Sequence, residues 1–227
     1  MEKLPVDVWA YLGLLVAVGV GRLLEMRLSR RHQRELQALG FARQPERGFA
    51  LMVSLHTGVL LAAAVEVVWA RRPLIVGLAV PALLAFLLAN VLRWWVIRTM
   101  AAHWNVNVVN SLALGVVTGG PYRFVRHPNY VAVFVELVAL PLVHTAWVTA
   151  LVATALHAIV LRRRLALEES VLDAEPAYRA QMGDKPRFVP RLRAAPAGQS
   201  PVASPRAVQG GRGWETAPGG RSDEPRA

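Results

Sequence analysis

Not one of the 227 residues is cysteine, so disulfides, thiolate nucleophiles and thiolate-bound metals are all excluded. Charged residues are scarce as well, at 18% of the chain, where a soluble globular domain carries about a quarter. Within that small set the acids are few: 15 Asp and Glu stand against 26 Lys and Arg, for a net charge of +11. So basic a chain raises nucleic acid as a partner, but the arginines flank apolar runs and do not line a polar surface with interleaved aromatics. Anionic lipid headgroups fit those positions, and nucleic acid is not expected to bind. The start, MEKLPVDVW, lacks the basic leader and small-residue cleavage site of a signal peptide. The first apolar run is therefore expected to stay in the mature protein.

What fills the chain is apolar sequence, 54% of all residues. Val8 to Leu24, Phe49 to Ala70 and Pro73 to Leu92 each approach the roughly 20 residues that cross a bilayer core at about 1.5 Å per residue. The run from Asn129 to Leu161 would measure about 50 Å as one helix, too long for a single crossing of a core of about 30 Å. Pro141 near its middle, followed by His144 and Thr145, predicts a hairpin of two short helices. The expected fold is an all-α integral membrane protein of about five transmembrane helices, the last two a short helical hairpin, followed by a C-terminal helix and a tail. Arg22, Arg27, Arg30, Arg31, Arg34, Arg43 and Arg47 lie between the first two spans, and Arg93, Arg98, Arg123 and Arg126 follow the third. By the positive-inside rule both segments face the cytoplasm, which puts the N-terminus outside. Arg162, Arg163 and Arg164 then return the chain to the inner side. Arg71 and Arg72 dissent, on a very short outer loop. A bacterial cytoplasmic membrane is the expected location, since the Arg- and Ala-heavy, Lys-poor composition is that of a high-GC bacterium.

Polar residues crowd into one dozen positions, GGPYRFVRHPNY at 119 to 130. Pro128 suits the first turn of a helix and biases His127 towards an extended backbone, so the hairpin is predicted to begin at Pro128. The N–H groups of Asn129, Tyr130 and Val131 would then point outward beside Arg123 and Arg126, an arrangement that attracts anions. Gly119, Gly120 and Pro121 let the loop turn tightly against whatever binds. Residue by residue a plainer account also holds: the arginines anchor at the interface, Tyr122 and Tyr130 join an aromatic belt, and His127 caps a helix.

A second constellation follows in RRRLALEESVLDAEPAYRAQMGDKPRF. On one helix, His157, Leu161, Arg164 and Glu168 share a face, with Glu169 about 100° round. The two acids suit an ammonium group, the arginines and His127 an anion, so a zwitterion fits between them. An amino acid has this charge pattern, and so does the methionine part of S-adenosylmethionine. A solvated helix with weak local charge pairs is the alternative. Glu66, Asn90, Glu136 and His157 fall within or at the edge of apolar spans, where ionisable groups are expensive and hence candidates for function. Glu66 is read as near enough to the outer surface to reach water, and Glu136 is left open.

GPYRFVRHPNY at 120 to 130, the pattern from Arg164 to Glu168 and Glu169, Tyr178, and KPRFVP at 185 to 190 together resemble the isoprenylcysteine carboxyl methyltransferase family. The likeness is greatest to its bacterial branch, some of whose members methylate alkylpyrones. It covers roughly Leu92 to Pro190. Part of the pattern is shared with phospholipid N-methyltransferases and membrane sterol reductases. The resemblance implies a methyltransferase with S-adenosylmethionine as cofactor and a lipophilic or lipidated acceptor, the active site facing the cytoplasm. It implies that Gly120, Tyr122, Arg126, His127, Pro128 and Tyr130 hold the cofactor, that Arg164 and Glu168 fix its polar end or the acceptor, and that Glu169 completes the site. Ala132 departs from relatives that place glycine there. The implied division is N-terminal helices over 1–92, a cofactor-binding and catalytic region over 93–193, and over 194–227 a cytoplasmic tail of Pro, Gly, Ser, Ala and Arg. Such a tail cannot offset the entropy of ordering and should be disordered. The rival functions are a phospholipid N-methyltransferase, an NADPH-dependent reductase and a non-catalytic membrane scaffold. The oligomeric state is not legible.

Overall fold

The computed structural model describes residues 3–38, 49–104 and 115–191. The expected tail from 194 onward, Arg43, Arg47 and residues 105–110 lie outside the described residues. Among those described there are six α-helices and no strand: α1 (Val6–Ala38), α2 (Phe49–Trp69), α3 (Val76–Met100), α4 (Pro128–Leu142), α5 (Trp147–Leu172) and α6 (Pro176–Met182), with short 3₁₀ turns at Ala101–His103 and Gly120–Arg123. Three of them, α1, Ala50–Trp69 of α2, and α3, are long and apolar enough to cross a membrane. Their outer surfaces carry Leu84, Leu88, Val91, Leu51 and Leu61 exposed, as expected of faces solvated by hydrocarbon. The protein is an integral membrane protein.

α2 ends almost where the apolar pattern ends, but α1 runs past Leu24 to Ala38 and α3 past Leu92 to Met100. Polar residues outside a bilayer do not stop a helix when one face stays packed. Leu36 is buried at 2% exposure, Leu28 packs with Val96, Ile97 and Trp104, and His32 Nδ1 meets the Trp104 carbonyl at 2.9 Å.

The hairpin is present, but only its first arm is short. α4 has 15 residues and α5 has 26, so α5 carries the chain well beyond the apolar run. Pro141 sits in the last turn of α4, where its missing N–H removes the bond to the carbonyl four residues back and helps end the helix, and Thr145 turns the chain with φ 54. The turn is tied to its neighbours: Thr145 Oγ1 donates to the Pro73 carbonyl at 2.6 Å, and His144 Nε2 meets Asp7 Oδ2 at 3.2 Å. Glu66, read from sequence as reaching water, instead accepts from the N–H groups of Val148 at 3.2 Å and Thr149 at 2.7 Å, and from Thr149 Oγ1 at 2.7 Å. It caps the N-terminus of α5 from another helix, where its charge complements the helix dipole. Arg72, the dissenter among the orientation charges, pairs with that same Glu66 at 2.9 Å.

A second polar knot is buried among α1, α3 and α4. Arg22 Nη1 donates to Glu25 at 2.7 and 2.8 Å, and Arg22 Nη2 to Glu136 at 2.9 Å and Asn90 at 3.3 Å. Arg93 Nη2 and Nε bind Glu25 at 2.7 and 2.9 Å, and Arg93 Nη1 lies 3.5 Å from Glu136. Two positive and two negative charges cancel. Arg22 and Arg93 are therefore structural partners inside the bundle and not interfacial anchors. Glu136 finds its role here too, as the α4 member of the knot.

Candidate functional site

At the opposite end of the hairpin from its turn, the loop before α4 meets the far half of α5. α4 begins at Pro128, as the sequence predicts, with His127 just before it at φ −127. The Tyr130 N–H, however, donates to the His127 carbonyl at 3.2 Å, so it does not join an open row of helix N–H donors. The charged groups at this end of the hairpin are side chains of the loop and of α5.

His127 stands between both carboxylates of α5. Its Nε2 is 3.2 Å from Glu169 Oε1, and its Nδ1 is 3.8 Å from Glu168 Oε1. His127 is 3% exposed, which fixes the ring in place. Tyr130 donates its hydroxyl to Glu168 Oε2 and accepts from Arg164 Nε at 2.9 Å, while Arg164 Nη1 reaches Met52 Sδ of α2 at 3.1 Å. Arg126 lies 3.3 Å from Glu169 and 3.6 Å from Asp173, and its Nε is buried without a hydrogen-bond partner among the described residues. Arg126, His127, Tyr130, Arg164, Glu168 and Glu169, chosen from two stretches about forty residues apart, thus converge in one cluster.

Arg187 is the member that sequence reading assigned no role. It grips Glu169 with two bonds, Nε to Oε1 at 2.8 Å and Nη2 to Oε2 at 2.7 Å, the fork geometry that suits a carboxylate. The backbone reinforces this grip: the Arg126 N–H donates to the Pro186 carbonyl at 2.9 Å and the His127 N–H to the Arg187 carbonyl at 3.0 Å. Phe188 packs near the His127 ring, centroids 6.2 Å apart. The run KPRFVP was the available signal, since it closes over the loop it accompanies.

Burial pushes the Glu169 carboxyl up, but hydrogen bonds from Arg187 and His127 outweigh it and hold the group below the ordinary carboxylate range. A folded value below the unfolded one means that this pairing stabilises the fold at neutral pH, and that the stabilisation is lost as acid titrates Glu169 in the folded protein. In a carboxyl ¹³C titration Glu169 is expected to titrate below an ordinary glutamate, and to move up in Arg187→Gln.

The remaining positions shape the loop. Tyr122 turns its hydroxyl to Met100 Sδ at 2.8 Å, not into the acid cluster, and Lys185 Nζ donates to the Tyr122 carbonyl at 2.9 Å. Burial pushes the Tyr122 phenol well above its ordinary value, with Glu168 adding to it. Burial likewise raises Tyr178 to about 12 and lowers Lys185. Pro128 is fully buried at the start of α4, and Ala132 is buried one turn on. Gly120 has φ +53, and a Cβ there would run into the Thr99 side chain. Gly120→Ala is expected to lower stability by about 2 kcal/mol through strain and overpacking, visible as a lower thermal midpoint in lipid.

Two curated proteins are similar to this chain over most of their own length. One is the uncharacterized protein YpbQ of Bacillus subtilis (strain 168), 26% identical over 165 residues, which are 72% of this chain and 95% of that protein. The other is an uncharacterized protein of Haemophilus influenzae (strain ATCC 51907 / DSM 11121 / KW20 / Rd), 28% identical over 159 residues, 66% of this chain and 88% of that protein. Residues 82–174, from α3 through the paired acids of α5, match the model of the isoprenylcysteine carboxyl methyltransferase (ICMT) family.

Proposed function

We propose that the protein is a membrane-embedded, S-adenosylmethionine-dependent methyltransferase that O-methylates the carboxylate or enol of a lipophilic acceptor, alkylpyrone-like or prenylcysteine-like. The observation that carries this reading is the convergence of Arg126, His127, Tyr130, Arg164, Glu168 and Glu169 at one end of the α4–α5 hairpin, inside the segment matched by the family. The cluster faces the cytoplasm in this reading, with the N-terminus on the other side.

The donor set fits the cofactor. Its methionine part carries an ammonium and a carboxylate. Arg126, with Nε buried and unpartnered, would take the carboxylate. Glu169 is already neutralised by Arg126, His127 and Arg187, so the ammonium falls to Glu168, whose side chain is 27% exposed. When bound, S-adenosylmethionine supplies an electrophilic sulfonium methyl group. The protein's own contribution is alignment and charge. Arg164, fixed between Tyr130 and Met52, holds an anionic acceptor oxygen, and the buried tyrosine and histidine keep water out. An acceptor carboxylate or acidic enol arrives ionised, so no strong base is needed.

The test is transfer of labelled methyl from S-adenosylmethionine into organic-extractable product by protein in lipid, offered alkylpyrones, prenylcysteine analogues and phosphatidylethanolamine. Transfer to an oxygen acceptor that drops at least a hundredfold in folded His127→Ala and Glu168→Gln upholds the reading. Label in phosphatidylethanolamine alone would make the protein an N-methyltransferase. Absence of both transfer and cofactor binding in calorimetry would remove the methyltransferase reading altogether.

A further inference from the structure

Two histidines of α2 and α5, His56 and His157, face each other outside the cluster assigned to the cofactor. His157 of α5 is 3% exposed, and neither of its ring nitrogens has a hydrogen-bond partner among the described residues. His56 of α2 meets it edge-on, ring centroids 6.1 Å apart at 90°, and directs its own Nδ1 to the Met52 carbonyl at 2.8 Å. A buried imidazole with nothing on either nitrogen is unusual, because such groups in native proteins almost always find a partner.

The surroundings of His157 say where that partner comes from. Arg164 follows it by seven residues, two turns along the same face of α5. Helical side chains lean towards the N-terminus of their helix, so Arg164, while bonded to Tyr130, leans back along α5 in the direction of His157. On α2, Met52 touches Arg164 at 3.1 Å and His56 follows one turn further in. Val59, three residues past His56, and Ala153, four residues before His157, pack with Val133 and Leu137 in an apolar core. Glu168, Tyr130, Arg164 and His157 therefore form a polar column that starts at the cluster and stops on this apolar floor. His157 is the only member of the four with no protein partner for its polar atoms among the described residues.

We propose that His157 is an acceptor-binding residue: its N–H donates to a second oxygen on the head of a lipophilic acceptor whose reacting oxygen is held at Arg164. This deepens the methyltransferase reading and rests on it. The acceptor class it selects has two oxygens set apart on one head, as in an enol lactone, and excludes a plain fatty acid, whose two oxygens share one carbon. The hydrocarbon tail then lies along the apolar faces of α2 and α5, where Leu156 and Ile159 are exposed beside His157.

The proposal is tested with two labelled probes of matched chain length, a 4-hydroxy-2-pyrone bearing a long alkyl chain and the corresponding fatty acid. Their retention by protein in lipid nanodiscs, above empty nanodiscs and without cofactor, gives the equilibrium Kd. His157→Phe is expected to weaken pyrone binding about tenfold, the loss of one hydrogen bond, and to leave fatty-acid binding and the S-adenosylmethionine Kd unchanged. His157→Gln, which keeps an N–H donor, should stay within about threefold of the parent, and it decides the matter together with His157→Leu if the phenylalanine variant does not fold. Unchanged pyrone binding, or equal losses for both probes, overturns the proposal, since the imidazole would then serve only packing. The two readings fail separately. No methyl transfer and no cofactor binding by the parent protein defeats the methyltransferase reading, while selective pyrone binding that depends on His157 would still stand.

Discussion

Glu169→Gln is expected to weaken S-adenosylmethionine binding about a hundredfold, read by calorimetry on protein in nanodiscs. Glu169 of α5 meets the loop and the C-terminal segment together, through His127, Arg126 and Arg187. A glutamine keeps its shape but not its charge. Arg126 and His127 would lose the anion that holds them, and the two bonds from Arg187 would weaken, so the segment over residues 186–188 would loosen from the loop. Removing one member of a largely buried charge pair costs about 3–5 kcal/mol, and about 2.8 kcal/mol corresponds to a hundredfold in affinity. Arg187→Gln should be milder, on the order of fivefold, because Arg187 is half exposed and solvent screens it. Equal effects from both variants would show that Glu169 acts through Arg187 alone and that its contacts with Arg126 and His127 contribute nothing to binding.

The largest stability effect is expected at the buried knot. Glu25→Gln leaves Arg22 and Arg93 facing only Glu136, one uncompensated positive charge in a place 5% exposed. The cost should be about 3–5 kcal/mol, measured as the shift in an unfolding curve in mixed micelles. Arg93→Met alone should cost about as much. The double variant Glu25→Gln with Arg93→Met restores neutrality, with Arg22 still bonded to Glu136, so its loss should be well below the sum of the two. Strict additivity would mean that the four groups act as independent hydrogen bonds.

Helix positions were legible because apolar runs of bilayer length leave few options: α2 starts at Phe49 and α4 at Pro128, where the apolar pattern and the proline place them. The members of the candidate cluster were legible because they are chemically conspicuous within two short stretches. Partnerships between distant stretches were not. Arg22 and Arg93 look like any arginine at the edge of an apolar run, and only the packing of α1 against α3 and α4 shows that each faces a glutamate. Arg187 likewise acquires its role from the backbone pairing of residues 126 and 127 with 186 and 187, which no periodicity announces. The Tyr130 N–H was misjudged because a single 3₁₀ bond at the first turn of α4 removes a donor that an ideal helix would leave open.

The same knot bears on how the chain enters a membrane. α1 brings Arg22 and Glu25 three residues apart, already bonded to each other, so this pair enters lipid with its charges compensated within one helix. α3 brings Arg93 and α4 brings Glu136, neither with an opposite charge on its own helix, and an ionised side chain at the centre of an isolated membrane helix costs about 2.5–3.5 kcal/mol. For these two, integration and assembly are one event: α3 is at ease in lipid only beside α1, and α4 only beside both. The order of helices along the chain is then also an order of electrostatic dependence during biogenesis, with the self-paired charges first.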